Sequence, residues 1–182
     1  MPPEEKRSSL THEVWELLRV LLISLAIVLP IRVFIAQPFI VRGASMEPNF
    51  HNGEYLIVDQ LSFRFRAPER GEVIILRYPI NPSVFYIKRI IGLPSETVSI
   101  RGGEVFIQKP GETELMLTET YIPKTVHTAP DKTLTLHEDE YFVLGDNRPD
   151  SSDSRSWGVL RENFVIGRAF LRLWPITNIE VL

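Results

Sequence analysis

At ~150 residues per domain, a chain of 182 residues holds one domain with room for an appendage, which excludes a multidomain machine. Hydrophobic residues make up 44% and charged ones 24%, the balance of a folding chain, while 20 basic against 23 acidic residues, net −3, leave no basic field to hold nucleic acid. There is no cysteine, which removes disulfides, thiolate nucleophiles and zinc–thiolate or iron–sulfur sites together.

The first predicted element is apolar. Residues 20–31 are interrupted only by Ser24 and Pro30, but at ~1.5 Å per residue they cover ~18 Å, too little to span a bilayer. Extended over 17–36 the segment reaches 20 residues and ~30 Å, with Arg19 and Arg32 snorkelling to the interfaces and Trp15 at one of them. Two other readings stay open, a buried core helix and a cleavable signal peptide. Cleavage after Ala36 would place bulky Phe34 where a small side chain is wanted. The expected organisation is a cytoplasmic segment over 1–16, a single-pass transmembrane anchor over 17–36 and a domain over 37–182. Lys6, Arg7 and Arg19, against Arg32 and Arg42, favour that orientation by a narrow margin.

Four residues of each sign precede position 37, so the rest carries 16 basic and 19 acidic residues, the balance of an ordinary soluble domain. Short β-branched and aromatic runs at 54–59, 71–78, 84–91, 97–100, 105–108, 140–144 and 164–174, punctuated by Gly, Pro and Asn, predict a mainly β, antiparallel domain. Gly102 and Gly103 between Ile100 and Val105 predict a tight hairpin. Residues 109–139, rich in proline and polar side chains, read as an excursion with one or two short strands and no recognisable chemistry. No repeat or low-complexity tract is present.

Three places bear groups that could react. Ser45 lies in the small-residue turn Gly43-Ala44-Ser45-Met46-Glu47-Pro48, where a serine is ordinarily just a turn residue. Lys88 interrupts an apolar strand and shares a face with Tyr86 and Ile90. It reads either as an edge lysine that blocks strand pairing or as a desolvated amine of lowered pKa serving as a base. After the strand at 140–144, Gly145-Asp146-Asn147-Arg148 and Ser151, Asp153, Ser154, Arg155, Trp157 and Gly158 interleave both charges with three serines, which suits a self-satisfying network. Of the histidines only His51 is near Ser45 in sequence; His12, His127 and His137 have no triad or metal spacing, and no metal or cofactor is expected.

In this order the three places resemble the boxes of type I signal peptidases, over 37–108 and 140–174. The serine box matches in Ser45-Met46-Glu47-Pro48 behind an apolar leader. Gly53-Glu54, Arg70-Gly71-Glu72-Val73 and Tyr86-Ile87-Lys88-Arg89 with Gly92-Leu93-Pro94 match the next boxes, and 145–148 with 151–158 the last. The resemblance implies a membrane-bound serine endopeptidase that removes signal peptides from exported precursors through an acyl-enzyme. Ser45 is then the nucleophile and Lys88 its general base, with Ser151 orienting the lysine. Asp146 with Arg89 and Asp153 with Arg155 are implied as supporting ion pairs. Ser45 N–H and a group at Gly43 are implied to hold the oxyanion. At Gly43, where the family often carries a hydroxyl, only backbone can serve; Asn49, Ser95-Glu96 and Pro149 also depart from the common pattern. Implied partners are signal-peptide precursors and membrane lipid, with the export translocon left open and nucleic acid excluded. The implied location is the bacterial plasma membrane, with the thylakoid membrane left open and the catalytic domain exoplasmic.

A lysine needs no histidine to do this chemistry if burial lowers its pKa, because a neutral amine can take the serine proton and return it to the leaving amine. The competing reading is a tethered β-domain that binds extended peptides by strand addition without reacting. Phe63 and Phe65, alternating with Arg64 and Arg66 and joined by Phe39 and Ile40, suit either a membrane-facing surface or a half-buried strand.

Overall fold

The computed structural model describes residues 10–30 and 36–182. Helix α1 (Leu10–Pro30) opens it, followed by β1 (Ala36–Ile40), β2 (Tyr55–Asp59), β3 (Val73–Tyr78), β4 (Asn81–Gly92), β5 (Thr97–Arg101) and β6 (Glu104–Gln108). Then come β7 (Leu115–Met116), β8 (Lys132–Thr135), β9 (Glu140–Leu144), the single turn α2 (Ser154–Trp157), β10 (Leu160–Arg161), β11 (Val165–Trp174) and β12 (Glu180–Val181). One sheet has the order β1-β2-β11-β3-β4-β9-β10 with β12 on β11, and a second has the order β7-β6-β5-β8. All pairings in both sheets are antiparallel.

The anchor expected over 17–36 is divided differently. α1 starts at Leu10, ahead of it, and Ala36 already belongs to β1, paired with Asp59. Residues 31–35, with Arg32 and Phe34, and residues 1–9, with Lys6 and Arg7, lie outside the described residues. Among the described residues no helix is long and apolar enough to cross a membrane. Glu13, Glu16 and Arg19 occupy the first half of α1, so its run free of charge, interrupted only by Ser24, is 20–29, ~15 Å of helix. The side chains of that run are exposed, Leu21 at 60% and Ile27 at 57%, which corrects the buried-core reading.

The strands were largely where β-branched residues concentrate, because those side chains fill a pleated face. β4 is interior, between β3 and β9, with Lys88 opposite Ile74. Lys88 is 2% exposed and therefore not an edge lysine. Three apolar clusters lie around this strand. Ile87 joins Val41, Met46 and Phe50; Ile90 joins Ile74, Leu76 and Val143; and Ile91 joins the hairpin residues Ile100 and Val105. The second half of β4, 87–92, is thereby fixed by packing, while 81–85 are exposed. The turn at 62–64 is a short 3-10 helix, so Phe63 and Phe65 do not alternate as in a strand. Phe63 packs on the cluster around Ile74, and Phe65 is 81% exposed.

Candidate active site

Ser45 stands on the tight turn that follows β1, a turn Gly43 makes possible at φ +88, where a side chain would be strained. Lys88 projects to it from β4, placing Nζ 2.7 Å from Ser45 Oγ and 2.8 Å from the Ile87 carbonyl. The amine touches no carboxylate. Burial is the largest influence on it and drives its pKa from 10.5 down to about 8; Asp153 and Asp146 pull the other way and Arg155 reinforces the fall. At pH 7 about one such amine in ten is neutral, against roughly one in three thousand at the ordinary value. His51 is excluded as its rival by position, since it faces solvent beside Glu47 at 3.9 Å. A groove of about 640 Å³ runs past both groups, walled by Phe39, Val41, Phe85, Tyr86 and Ile87.

The strand register explains why the last box meets the dyad. Arg89 pairs with Leu144, so the turn leaving β9 begins beside the residue that follows Lys88. Arg89 grips Asp146 through two nitrogens, at 2.8 and 2.6 Å, and Asn49 adds a 2.8 Å bond to the same carboxylate. Asn147 then ties the box to the backbone of the serine turn: its N–H donates to the Ser45 carbonyl at 3.1 Å and its amide to that of Ala44 at 3.0 Å. Gly145 permits the approach, because a Cβ there would collide with the Ser45 carbonyl oxygen and with Ser151 Oγ.

Asp153 caps α2 and holds Arg155 at 2.8 and 2.7 Å. Burial opposes its charge, but Arg155 and the Gly145 N–H outweigh burial and keep the carboxyl below its usual range. Both expected ion pairs are therefore present. The remaining expectations fare differently. Ser151 Oγ is buried and makes no hydrogen bond to Lys88; it joins Arg155 and the Gly145 N–H in lowering the Asp153 pKa, and the amine's second partner is the Ile87 carbonyl. Gly43 N–H donates to Asn52 Oδ1 at 3.1 Å, so it is engaged rather than open to an oxyanion. Among the described residues Ser45 N–H has no acceptor.

Sequence reasoning missed Asn147, Asn52 and the excursion's contribution. Glu119 pairs with the buried Arg148, and the Tyr121 ring lies 4.1 Å from the Arg89 guanidinium. Asn147 was visible as part of a polar box, whereas the partners in the excursion carry no local signal. No group of three or more His, Cys, Asp or Glu among the described residues is placed to hold a metal. A larger cavity of about 720 Å³ is lined by Arg70, Arg89, Arg168 and Arg172, but each guanidinium already has a carboxylate and none faces a nucleophile.

A family model described as signal peptidase, peptidase S26, matches residues 14–174. A Synechocystis sp. protein named probable signal peptidase I-2 is 34% identical over 190 residues, 98% of this chain and 82% of its own length. The signal peptidase I of Leptolyngbya laminosa is 38% identical over 170 residues, 88% of this chain and 79% of the relative. That of Bacillus amyloliquefaciens is 33% identical over 185 residues, 96% and 92% respectively.

Proposed function

We propose, for a chain that belongs to the signal peptidase family, peptidase S26, and is thereby a serine peptidase acting on signal-peptide-bearing precursors, that Ser45 and Lys88 form its catalytic dyad. The observation that carries this reading is the unpaired, buried amine 2.7 Å from the hydroxyl, with a pKa lowered to about 8. In the resting enzyme the neutral fraction of Lys88 accepts the Ser45 proton as Oγ attacks the carbonyl at the cleavage site. The oxyanion that forms meets Ser45 N–H; the Gly43 N–H joins it only by releasing Asn52. The protonated amine then passes its proton to the departing amine of the mature chain, leaving the signal peptide esterified to Ser45. Water, deprotonated by Lys88, completes the cycle.

Ser151 fits the protonated half of this cycle. An ammonium has three N–H groups, Ser45 and Ile87 take two, and the buried Ser151 hydroxyl, with no bond to Lys88 in the resting state, suits the third. The substrate lies extended in the groove, so the residue before the cut and the one two earlier enter it side by side, where shallow walls take alanine-sized groups. The exposed apolar side chains of α1, together with Ile40 and Phe65, support attachment to a membrane, and exported substrates call for an exoplasmic 37–182.

Arginine at position 88 tests the dyad, because it keeps length and charge but does not release a proton. Lys88→Arg, incubated with a precursor carrying a small-x-small site and followed by mass, is expected to be folded and inactive. Substantial cleavage by the folded variant would refute the reading.

A further inference from the structure

Residues 117–128 leave the hairpin of β5 and β6 and come back to it. Leu117 N–H donates to the Val105 carbonyl at 2.8 Å and Thr128 N–H to the Gly103 carbonyl at 2.9 Å, so the strap is pinned to one hairpin at both ends. Between the pins Leu117, Glu119 and Tyr121 turn inward while Thr118 and Thr120 face solvent. Leu117 packs on the hairpin's apolar cluster, Glu119 and Tyr121 contact the serine turn and the 145–148 turn, and none of the three lines the substrate groove. Glu119 binds Arg148 through both of its terminal nitrogens, and Thr128 binds the same guanidinium. Tyr121 OH donates to Glu119 at 2.5 Å, and its own carbonyl accepts Asn49 Nδ2 at 2.7 Å.

Both contacts lead on to the serine turn. Arg148 Nε donates to the Gly145 carbonyl at 3.1 Å, closing the turn in which Asn147 holds the carbonyls of Ala44 and Ser45. Asn49, four residues past Ser45, shares its amide between Tyr121 and Asp146. Three further bonds close the same face: Arg155 donates to the Ala129 carbonyl at 2.8 Å, and Lys132 donates to the Ser154 and Arg155 carbonyls at 3.1 and 2.9 Å. A tie of this kind fixes where Ser45 N–H and Oγ point, which sets the chemical step, while leaving the walls of the groove untouched.

We propose that Glu119 and Tyr121 are positioning residues for the peptidase reaction, holding the serine turn and the 145–148 turn in register through Arg148 and Asn49. The proposal rests on the Ser45–Lys88 reading. It predicts that Glu119→Gln lowers kcat roughly 10- to 100-fold with KM within about twofold, since the misplaced group acts on the chemical step alone. Tyr121→Phe keeps the ring and loses only its hydroxyl; it should lower kcat roughly three- to tenfold, again at constant KM. Asn147→Ala lies on the same route, so Glu119→Gln with Asn147→Ala should cost little more than the worse single change. The assay uses the full chain, a cleavable precursor and melting curves that show each variant folded at the assay temperature. Wild-type kcat in folded Glu119→Gln or Tyr121→Phe, a change confined to KM, or losses that multiply in the double variant would overturn the proposal. If Glu119→Gln does not fold, Tyr121→Phe decides alone. Lys88→Arg is run beside them: activity there removes the dyad reading and is told apart from an inert strap.

Discussion

Lys88 and the arginines around it, Arg148 buried as fully and Arg89 and Arg155 partly, are partnered oppositely. Arg89 has Asp146, Arg155 has Asp153 and Arg148 has Glu119, each carboxylate held through two guanidinium nitrogens. Lys88, adjacent to Arg89 on β4, has a hydroxyl and a carbonyl. Burial works against both kinds of cation. For Arg148, Glu119 more than offsets it and the pKa rises; for Lys88 nothing in contact does, and the pKa falls to about 8. Charge that must persist is paired, and charge that must be given up is left alone with a proton donor.

The largest effect should come from erasing that contrast. Lys88→Arg and Ser45→Ala are each expected to cut acylation by roughly three orders of magnitude or more, and the double variant to be scarcely worse, because members of one catalytic unit are non-additive. Losses that multiply in rapid-quench acylation would mean that the two side chains act separately. On the arginine side, Asp146→Asn strands the buried Arg89 and should cost about 3–5 kcal/mol of stability in urea unfolding. A loss below ~1 kcal/mol would place that pair among surface ion pairs. Ser151→Ala should lower kcat by about 100-fold through misplacement of the ammonium, with melting temperature nearly unchanged. An unaffected kcat would leave Ile87 as the sole orienting group.

Smaller changes sharpen the electrostatics. Asp153 favours the ammonium of Lys88 and Arg155 disfavours it. Asp153→Asn should therefore move the acid limb of kcat/KM to lower pH and Arg155→Met to higher pH, each by ~0.5–1 unit. Shifts of the same sign in both would show that disrupted packing, rather than charge, dominates.

The sequence made one side of the comparison legible and hid the other. Ser45, Lys88, Asp146 and Arg155 stand in short boxes of distinctive polar residues set against a strong β pattern, so they stand out although Ser45 and Lys88 are 43 residues apart. β9 lies where its apolar run predicts. Glu119 and Tyr121 act across 29 residues to Arg148 and 72 to Asn49, from a strap between the short strands β7 and β8 that has no strand of its own, so no periodicity announces them. β1 escaped for another reason. Its apolar residues continue those of α1, and a hydropathy run does not mark where helix gives way to strand. The edge reading of Lys88 failed because strand order is a tertiary fact; a lone charge in an apolar run looks the same on an edge and in the middle of a sheet.

The central claim is that the base is this unpaired amine, and the wild-type pH dependence of kcat/KM for a precursor peptide tests it most directly, under conditions in which acylation limits the rate. Only the neutral amine can accept the Ser45 proton, so activity should rise with pH through a single ionisation centred near 8, the value burial imposes on Lys88. A limb centred near ~6.5, the range of an unperturbed histidine, or one that keeps climbing past ~10 as for an ordinary lysine, would contradict it.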